Sequence, residues 1–226
     1  MNLKNISENT RKVIELLSEQ KFINKFTLVG GTALSLHLGH RLSEDLDFMY
    51  DGKFLESRSV IKFMNNVFKE NIKLVKQDND HQLDFIINGV KVTFFTNDAV
   101  NITFDVKDHS VSFNEMNIAT VDIISTLKIN TIAQRNTIRD YYDLYYIARN
   151  VIPLENIIKK SKERLPNTAD ITYSETIIYI DDLTEDSIQD HMFPKENVNK
   201  KQIADFFTKE LKKILNKNKP KTKKGK

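Results

Sequence analysis

Cysteine is absent from the 226 residues, which excludes disulfide frameworks, thiolate metal sites and a cysteine nucleophile. No apolar run approaches the roughly 18 residues that a membrane span requires. The first twelve residues are polar and lack a basic stretch leading into an apolar one, so no secretory leader and no membrane partner are expected, and the cytoplasm is the expected compartment. The five histidines (37, 40, 81, 109 and 191) show no metal-ligand spacing. Glycine is scarce, at six residues, and neither a Walker loop nor a Gly-x-Gly-x-x-Gly fingerprint can be written from them. What remains, 40% hydrophobic and 29% charged residues, is the profile of a globular protein with a real core.

The formal charge of +3 conceals an asymmetry. Nine lysines lie between Lys209 and Lys226 against Glu210 alone, so that segment carries +8 and residues 1–208 carry −5. Residues 217–226 read as a disordered basic tail, suited equally to nucleic-acid phosphates and to plain solubility.

Hydrophobic spacing organises the rest. Residues 6–20 read as an amphipathic helix, 26–29 as a short strand ended by Gly30-Gly31, and 32–40 as a helix stopped at Gly39. Residues 42–49 alternate acidic and apolar, as in a strand with one carboxylate face and one core face. Residues 56–71 are helical in spacing. Residues 83–87 and 90–95 flank Asn88-Gly89, a hairpin signal of the type I′ turn. Further strands are expected at 102–106 and 111–113. From about residue 118 the texture is helical: 121–149 reads as one long helix, Pro153 opens the next, 176–179 and 181–190 are ambiguous, and 198–216 is a helix. These observations define a mixed α/β part at 1–117, a helical part at 118–216 and the tail.

The chemistry concentrates at Asp45 and Asp47. Carboxylates one residue apart on a strand point the same way, about 7 Å along the chain, and repel unless a cation sits between them. Paired oxygen ligands suit Mg²⁺ or Mn²⁺, Mg²⁺ being commonly completed by water and phosphate oxygens. Upstream, Gly30-Gly31-Thr32 stands between a strand and a helix, where bare N–H groups and the helix dipole attract an anion. Phosphate cradle and divalent ion together are the equipment of phosphoryl transfer.

Gly30-Gly31-Thr32-Ala33-Leu34 followed by Gly39-His40-Arg41-x-Ser43-x-Asp45-Leu46-Asp47-Phe48 resembles the first motif of the AbiEii/AbiGii toxin family, within the DNA polymerase beta-like nucleotidyltransferase superfamily. Lys128-x6-Arg135-x3-Arg139-Asp140-x2-Asp143-Leu144-Tyr145 resembles the family's downstream motif. The resemblance implies an α+β minimal nucleotidyltransferase fold, a mixed β-sheet flanked by helices, followed by a C-terminal helical bundle. It implies Asp45 and Asp47 as metal ligands; Gly30, Gly31, Thr32, Arg41 and Ser43 as nucleotide contacts; and Lys128 and Asp143 as catalytic residues. Arg135 and Arg139 join the nucleotide contacts: on one unbroken helix Lys128, Arg135, Arg139 and Asp143 form a charged stripe that an anion would stabilise. The implied reaction moves a nucleoside monophosphate from a nucleoside triphosphate to a hydroxyl, on RNA such as a tRNA 3′ end or on a protein. The implied setting is a toxin–antitoxin or phage-defence system with a cognate antitoxin. One departure stands out: Thr93 occupies the strand position where superfamily polymerases place a third carboxylate, and Thr is no base at neutral pH. Asp84 and Asp105 are the substitutes within reach of the sequence. The alternative is a nucleotide-binding interaction protein that has lost turnover.

Overall fold

The computed structural model describes residues 3–78, 80–135, 137–165, 177, 178, 180 and 183–217. They fall into two compact units. One comprises Met1–Leu127 with Gln189–Glu196; the other comprises Lys128–Ile188 with Asn197–Lys226. No helix among the described residues is long and apolar enough to cross a membrane.

The first unit is built on a mixed seven-stranded sheet of order β3-β4-β5-β2-β1-β7-β6. Its strands are β1 (Thr27–Val29), β2 (Leu46–Tyr50), β3 (Ile72–Asp78), β4 (Gln82–Ile87), β5 (Val90–Thr96), β6 (Ser110–Phe113) and β7 (Met116–Ala119). β2 runs parallel to β5 and antiparallel to β1, and β1 runs parallel to β7. The helices of this unit are α1 (Glu8–Ser18), α2 (Gly30–Leu38) and α3 (Ser57–Phe68). Alternation splits the sheet into two chemistries. On one face Phe94 stacks on Phe48 at 5.2 Å and meets Phe26 and Phe85 edge-on at 4.9 and 6.1 Å. The opposite face presents Asp47, Thr93 and Asp84, one from each of β2, β5 and β4, as register partners. The Asn88-Gly89 turn joins β4 to β5 with φ of 49° and 84°, the left-handed pair a type I′ turn requires.

α4 (Val121–Gln134) crosses the boundary between the units at Leu127. The second unit continues with α5 (Ile138–Asn150), α6 (Leu154–Arg164) and α7 (Lys200–Lys217). α5 buries Tyr141, Tyr142 and Tyr145, and Tyr145 meets Phe206 of α7 edge-on at 5.0 Å. The tyrosines are thus packing residues of this helix.

Four expectations are corrected. The single helix across 121–149 is two, because Thr137 caps α5 by accepting the Asp140 N–H on its side chain. Residues 102–106 form no strand; the amides of Val106 and Lys107 donate to the Asp51 carboxylate at 3.0 and 2.8 Å rather than to a neighbouring strand. β3 and β7 are additional: β3 is an edge strand exposed along nearly its whole length, and β7 is buried at all four residues, so neither alternates. The acidic strand starts at Leu46, four residues later than its pattern suggests. Residues 176, 179, 181 and 182 and the tail beyond Lys217 lie outside the described residues.

Candidate active site

The first cluster is assembled at the start of α2. Val29, the cap residue, supplies no side-chain hydrogen bond, which leaves the first-turn amides without that partner. Gly30 sits at φ +75°, a conformation that penalises any Cβ. A Cβ there would come within 2.8 Å of Asp47 Oδ2, and one on Gly31 within 2.5 Å of Arg41 Nη2. The two glycines therefore clear the space into which a carboxylate and a guanidinium are packed. Arg41 is 3% exposed and donates from Nη1 to the Leu42 carbonyl at 2.9 Å.

The connection from α2 to β2 is pinned from several directions. Ser35 Oγ donates to the Arg41 carbonyl at 2.8 Å, and the Leu42 amide donates to the Met192 carbonyl at 2.6 Å. Thr10 Oγ1 of α1 donates to the Glu44 carbonyl at 2.6 Å. Thr32 Oγ1 contacts both Ser43 Oγ, at 2.8 Å, and the Asp45 carbonyl. A hydroxyl has one proton, so a Thr32 that donates to the carbonyl takes its second bond from Ser43. Both hydroxyls are buried and fix the backbone entering Asp45. Asp45 is exposed and Asp47 half-buried.

The donor set can be tested against a divalent ion. Among the described residues no group of three or more His, Asp or Glu is arranged as a metal site, and the candidate donors are the two carboxylates of Asp45 and Asp47. That suits Mg²⁺, which dehydrates reluctantly and is held by one or two carboxylates plus substrate phosphates. Thr93 pairs with Asp47 across β2 and β5 and brings no carboxylate. Asp84 lies one strand further out in the same row, 5% exposed. Asp105 is exposed in the loop before Val106, whose amide binds Asp51; it belongs to that loop and not to the row of Asp47.

The second cluster belongs to the second unit. Lys128 Nζ lies 2.6 Å from Asp140 Oδ1 and 2.6 Å from Asp143 Oδ2, and all three side chains are buried. Asp140 Oδ2 also accepts from Thr137 Oγ1 at 2.7 Å and from Arg135 Nε at 3.2 Å. Burial raises the Asp140 pKa, but the charges of Lys128 and Arg135 and the hydrogen bonds from Lys128 and Thr137 outweigh it and hold the carboxyl below its ordinary value. The expected stripe along one helix is replaced by convergence across a helix break: Arg135 follows α4, while Thr137 and Asp140 open α5. Arg139 is exposed. Asp140 and Thr137 were not among the expected site residues. Their signal was present, since two Asp at i,i+3 share a helix face and a Thr three residues before the first is a cap.

The fold that carries these clusters, a mixed sheet with a glycine turn beside an Asp-x-Asp segment that enters β2, is that of a nucleotidyltransferase. The family model described as "Nucleotidyl transferase AbiEii toxin, Type IV TA system" matches residues 13–223, and the chain belongs to that family. It is 25% identical over 220 residues to "Uncharacterized protein aq_aa25" of Aquifex aeolicus, covering 94% of this chain and 99% of the relative. The fold is shared with JHP933 from Helicobacter pylori at a TM-score of 0.50 and 18% identity, over 94% of this chain and 97% of that one. MenT4, the nucleotidyltransferase toxin Rv2826c from Mycobacterium tuberculosis H37Rv, aligns at a TM-score of 0.46 and 12% identity over 90% and 84% of the two chains.

Proposed function

We propose that this nucleotidyltransferase transfers a nucleoside monophosphate from a nucleoside triphosphate to an acceptor hydroxyl, with Asp45 and Asp47 holding Mg²⁺ on the nucleotide phosphates. The observation that carries the reading is the seat of Asp47 against Gly30, which sets a carboxylate beside a helix N-terminus without a side-chain cap. That terminus attracts anionic phosphate, while the Asp-x-Asp segment repels it unless a cation lies between. A Mg²⁺ held there withdraws charge from the phosphoryl oxygens. The amides of Gly30, Gly31 and Thr32 bind the phosphates, and Arg41 adds positive charge over Gly31. Ser43 and Thr32 keep the Asp45 backbone in place. The acceptor oxygen forms its bond to the α-phosphorus as the bond to the β-phosphate oxygen breaks; pyrophosphate leaves and the hydroxyl proton passes to solvent.

Lys128 and Asp143 are assigned to the same reaction by their match to the second motif. Lys128 is the cation for the departing pyrophosphate, and Asp143 and Asp140 anchor it. The family's toxin–antitoxin setting supports a cognate antitoxin as partner. Incubation with labelled nucleoside triphosphates, Mg²⁺ and total RNA tests the reading. Label transfer by the parent that Asp47→Ala abolishes supports it. Tight nucleotide binding by the parent with no transfer supports instead a binding protein without turnover, the reading favoured by Thr93 in place of a third carboxylate.

A further inference from the structure

We infer that Thr10 of α1 is a positioning residue of the metal site: together with Thr32 it sets the backbone angles of Asp45, and through them the place of that carboxylate. The inference rests on the assignment of Asp45 to Mg²⁺ proposed above. It adds a residue that precedes the span matched by the family model.

Asp45 needs the help because the sheet does not give it. Ladder pairing on β2 begins with Leu46, opposite Val92 of β5, and with Asp47, opposite Val29 of β1. Asp45 lies one residue short of the strand and is exposed. A ligand at such a place still has to be held to within about 0.5 Å to serve a metal. Peptide units are planar, so a residue's two free angles are fixed once the units on either side of its Cα are held. The unit before Asp45 contains the Glu44 carbonyl, which accepts from Thr10 Oγ1 at 2.6 Å. The unit after it contains the Asp45 carbonyl, which accepts from Thr32 Oγ1. One threonine stands on α1 and the other on α2, so the two clamps are independent.

Thr10 is suited to hold a direction. Its side chain is fully buried, and branching at Cβ restricts its χ1. Its one hydroxyl proton goes to the Glu44 carbonyl, so in the 2.7 Å contact between the two hydroxyls Ser7 Oγ donates and Thr10 Oγ1 accepts. Ser7 Oγ in turn accepts the Thr10 amide at 3.3 Å as the N-cap of α1. All three bonds point the same way, from the cap to the Glu44 carbonyl, and bonds aligned in series strengthen one another. The chain just before α1 is tied to the same segment. The Ser43 amide donates to the Asn5 carbonyl at 3.3 Å, and Asn5 Nδ2 donates to the Gly39 carbonyl. The start of α1 is thereby fixed against the backbone that Thr10 holds.

The test compares the full-length parent with Thr10→Val, which keeps the shape and removes the proton, and Thr10→Ser, which keeps the proton. Hydrogen exchange in the metal-free protein reads the clamp itself. The peptide spanning residues 42–46, whose Leu42 and Ser43 amides are hydrogen-bonded, should exchange about three- to tenfold faster in Thr10→Val, the range set by one net hydrogen bond. Isothermal titration of Mg²⁺ in the presence of a non-hydrolysable triphosphate reads the consequence: the half-saturating Mg²⁺ concentration should rise by about three- to tenfold. Thr10→Ser should stay within about twofold of the parent in both measurements. Ser7→Ala, which removes the hydroxyl behind Thr10, should move both in the same direction by a smaller factor. Transfer by Thr10→Val should be slow at limiting Mg²⁺ and return towards the parent rate as Mg²⁺ is raised, which a general loss of stability would not produce.

Ser18→Ala is the comparison for such a loss. It removes another buried hydroxyl of α1, one that donates to the Glu15 carbonyl at 2.9 Å, and should leave both readouts at the parent's values. A Thr10→Val protein with the parent's exchange, or with faster exchange but the parent's Mg²⁺ midpoint, overturns the positioning role; so does a Ser18→Ala protein that matches Thr10→Val in both. Asp45→Asn tells the two readings apart. If Asp45→Asn shifts the Mg²⁺ midpoint and Thr10→Val does not, this inference falls alone. If Asp45→Asn itself leaves the midpoint unchanged, the metal assignment of Asp45 falls and takes the inference with it.

Discussion

Asp47 and Thr93 are register partners on the parallel strands β2 and β5, so the residue beside the inner carboxylate of the acidic pair is a neutral hydroxyl. Their side chains share a face of the sheet and a strand separation of about 4.8 Å. Replacing Thr93 with Asp adds a third oxygen donor at that spacing. In the Thr93→Asp variant the Mg²⁺ concentration giving half-maximal nucleotide binding should fall by at least about tenfold, since an added charge about 5 Å away at an effective dielectric near 20 is worth a few kcal/mol. Isothermal titration with Mg²⁺ and a non-hydrolysable triphosphate reads this directly.

Asp47→Asn keeps the shape and removes the charge. Transfer should drop by more than about a hundredfold, the scale set by several kcal/mol of charge stabilisation at the reacting phosphoryl group. Chelation of divalent ions should bring the parent down to the variant's level while leaving the variant unchanged. A variant that keeps its full response to Mg²⁺ would remove Asp47 from the metal site.

Gly30→Ala tests the seat of that carboxylate. The new Cβ would stand 2.8 Å from Asp47 Oδ2 at a φ of +75°, so the carboxylate must swing away from α2. A non-glycine residue in that backbone region costs about 1–3 kcal/mol. Nucleotide affinity should fall by at least about tenfold beyond what the lower melting temperature explains, measured well below that temperature. Gly31→Ala should act through Arg41, whose Nη2 stands 2.5 Å from the added carbon.

The sequence showed the first cluster more clearly than the second, and the reason is physical. Gly30, Asp45 and Asp47 are joined by a short run of chain, so local periodicity places Gly30 at a turn and Asp47 on a strand, with Asp45 just before it. The hairpin at Asn88-Gly89 was legible for the same reason, being dictated by two adjacent residues. Lys128 and Asp140 are held together by tertiary bonds across a helix break at which no Gly or Pro stands. Only the side chain of Thr137, capping α5, marks that break. β3 escaped because an exposed edge strand has no buried face to impose alternation, and β7 because it is only four residues long and its one polar residue, Asn117, is buried with the rest.

Lys128→Ala leaves Asp140 and Asp143 facing each other in a buried space without the ammonium that separates them. Breaking a buried pair from one side costs about 3–5 kcal/mol, which urea denaturation should resolve. Lys128→Met combined with Asp140→Asn and Asp143→Asn should recover most of that loss, since no uncompensated charge remains. Transfer should stay low in both variants.

The depressed pKa of Asp140 sets a direction for acid denaturation. A carboxyl whose folded value lies below its unfolded value of about 3.9 contributes stability that is present above that pH and fades as pH falls through the folded value. The stability gap between the parent and Asp140→Asn should therefore be constant above about pH 5 and narrow steadily towards pH 3. Chemical denaturation at each pH measures it; a gap that widens on acidification would reverse the assignment.

Residues Gln189–Glu196 rejoin the sheet-bearing unit after the chain has traversed most of the other. Met192 accepts the Leu42 amide, Lys195 N–H donates to the His40 carbonyl at 2.9 Å, and Lys195 Nζ closes the C-terminal end of α2 at the Leu38 carbonyl. A ribosome that has released only the first 127 residues has therefore made every strand of the sheet but not the eight-residue clasp that fastens the segment carrying Arg41. The segment carrying Arg41 is fastened only once residues 189–196 have emerged, some seventy residues after the last strand of the sheet.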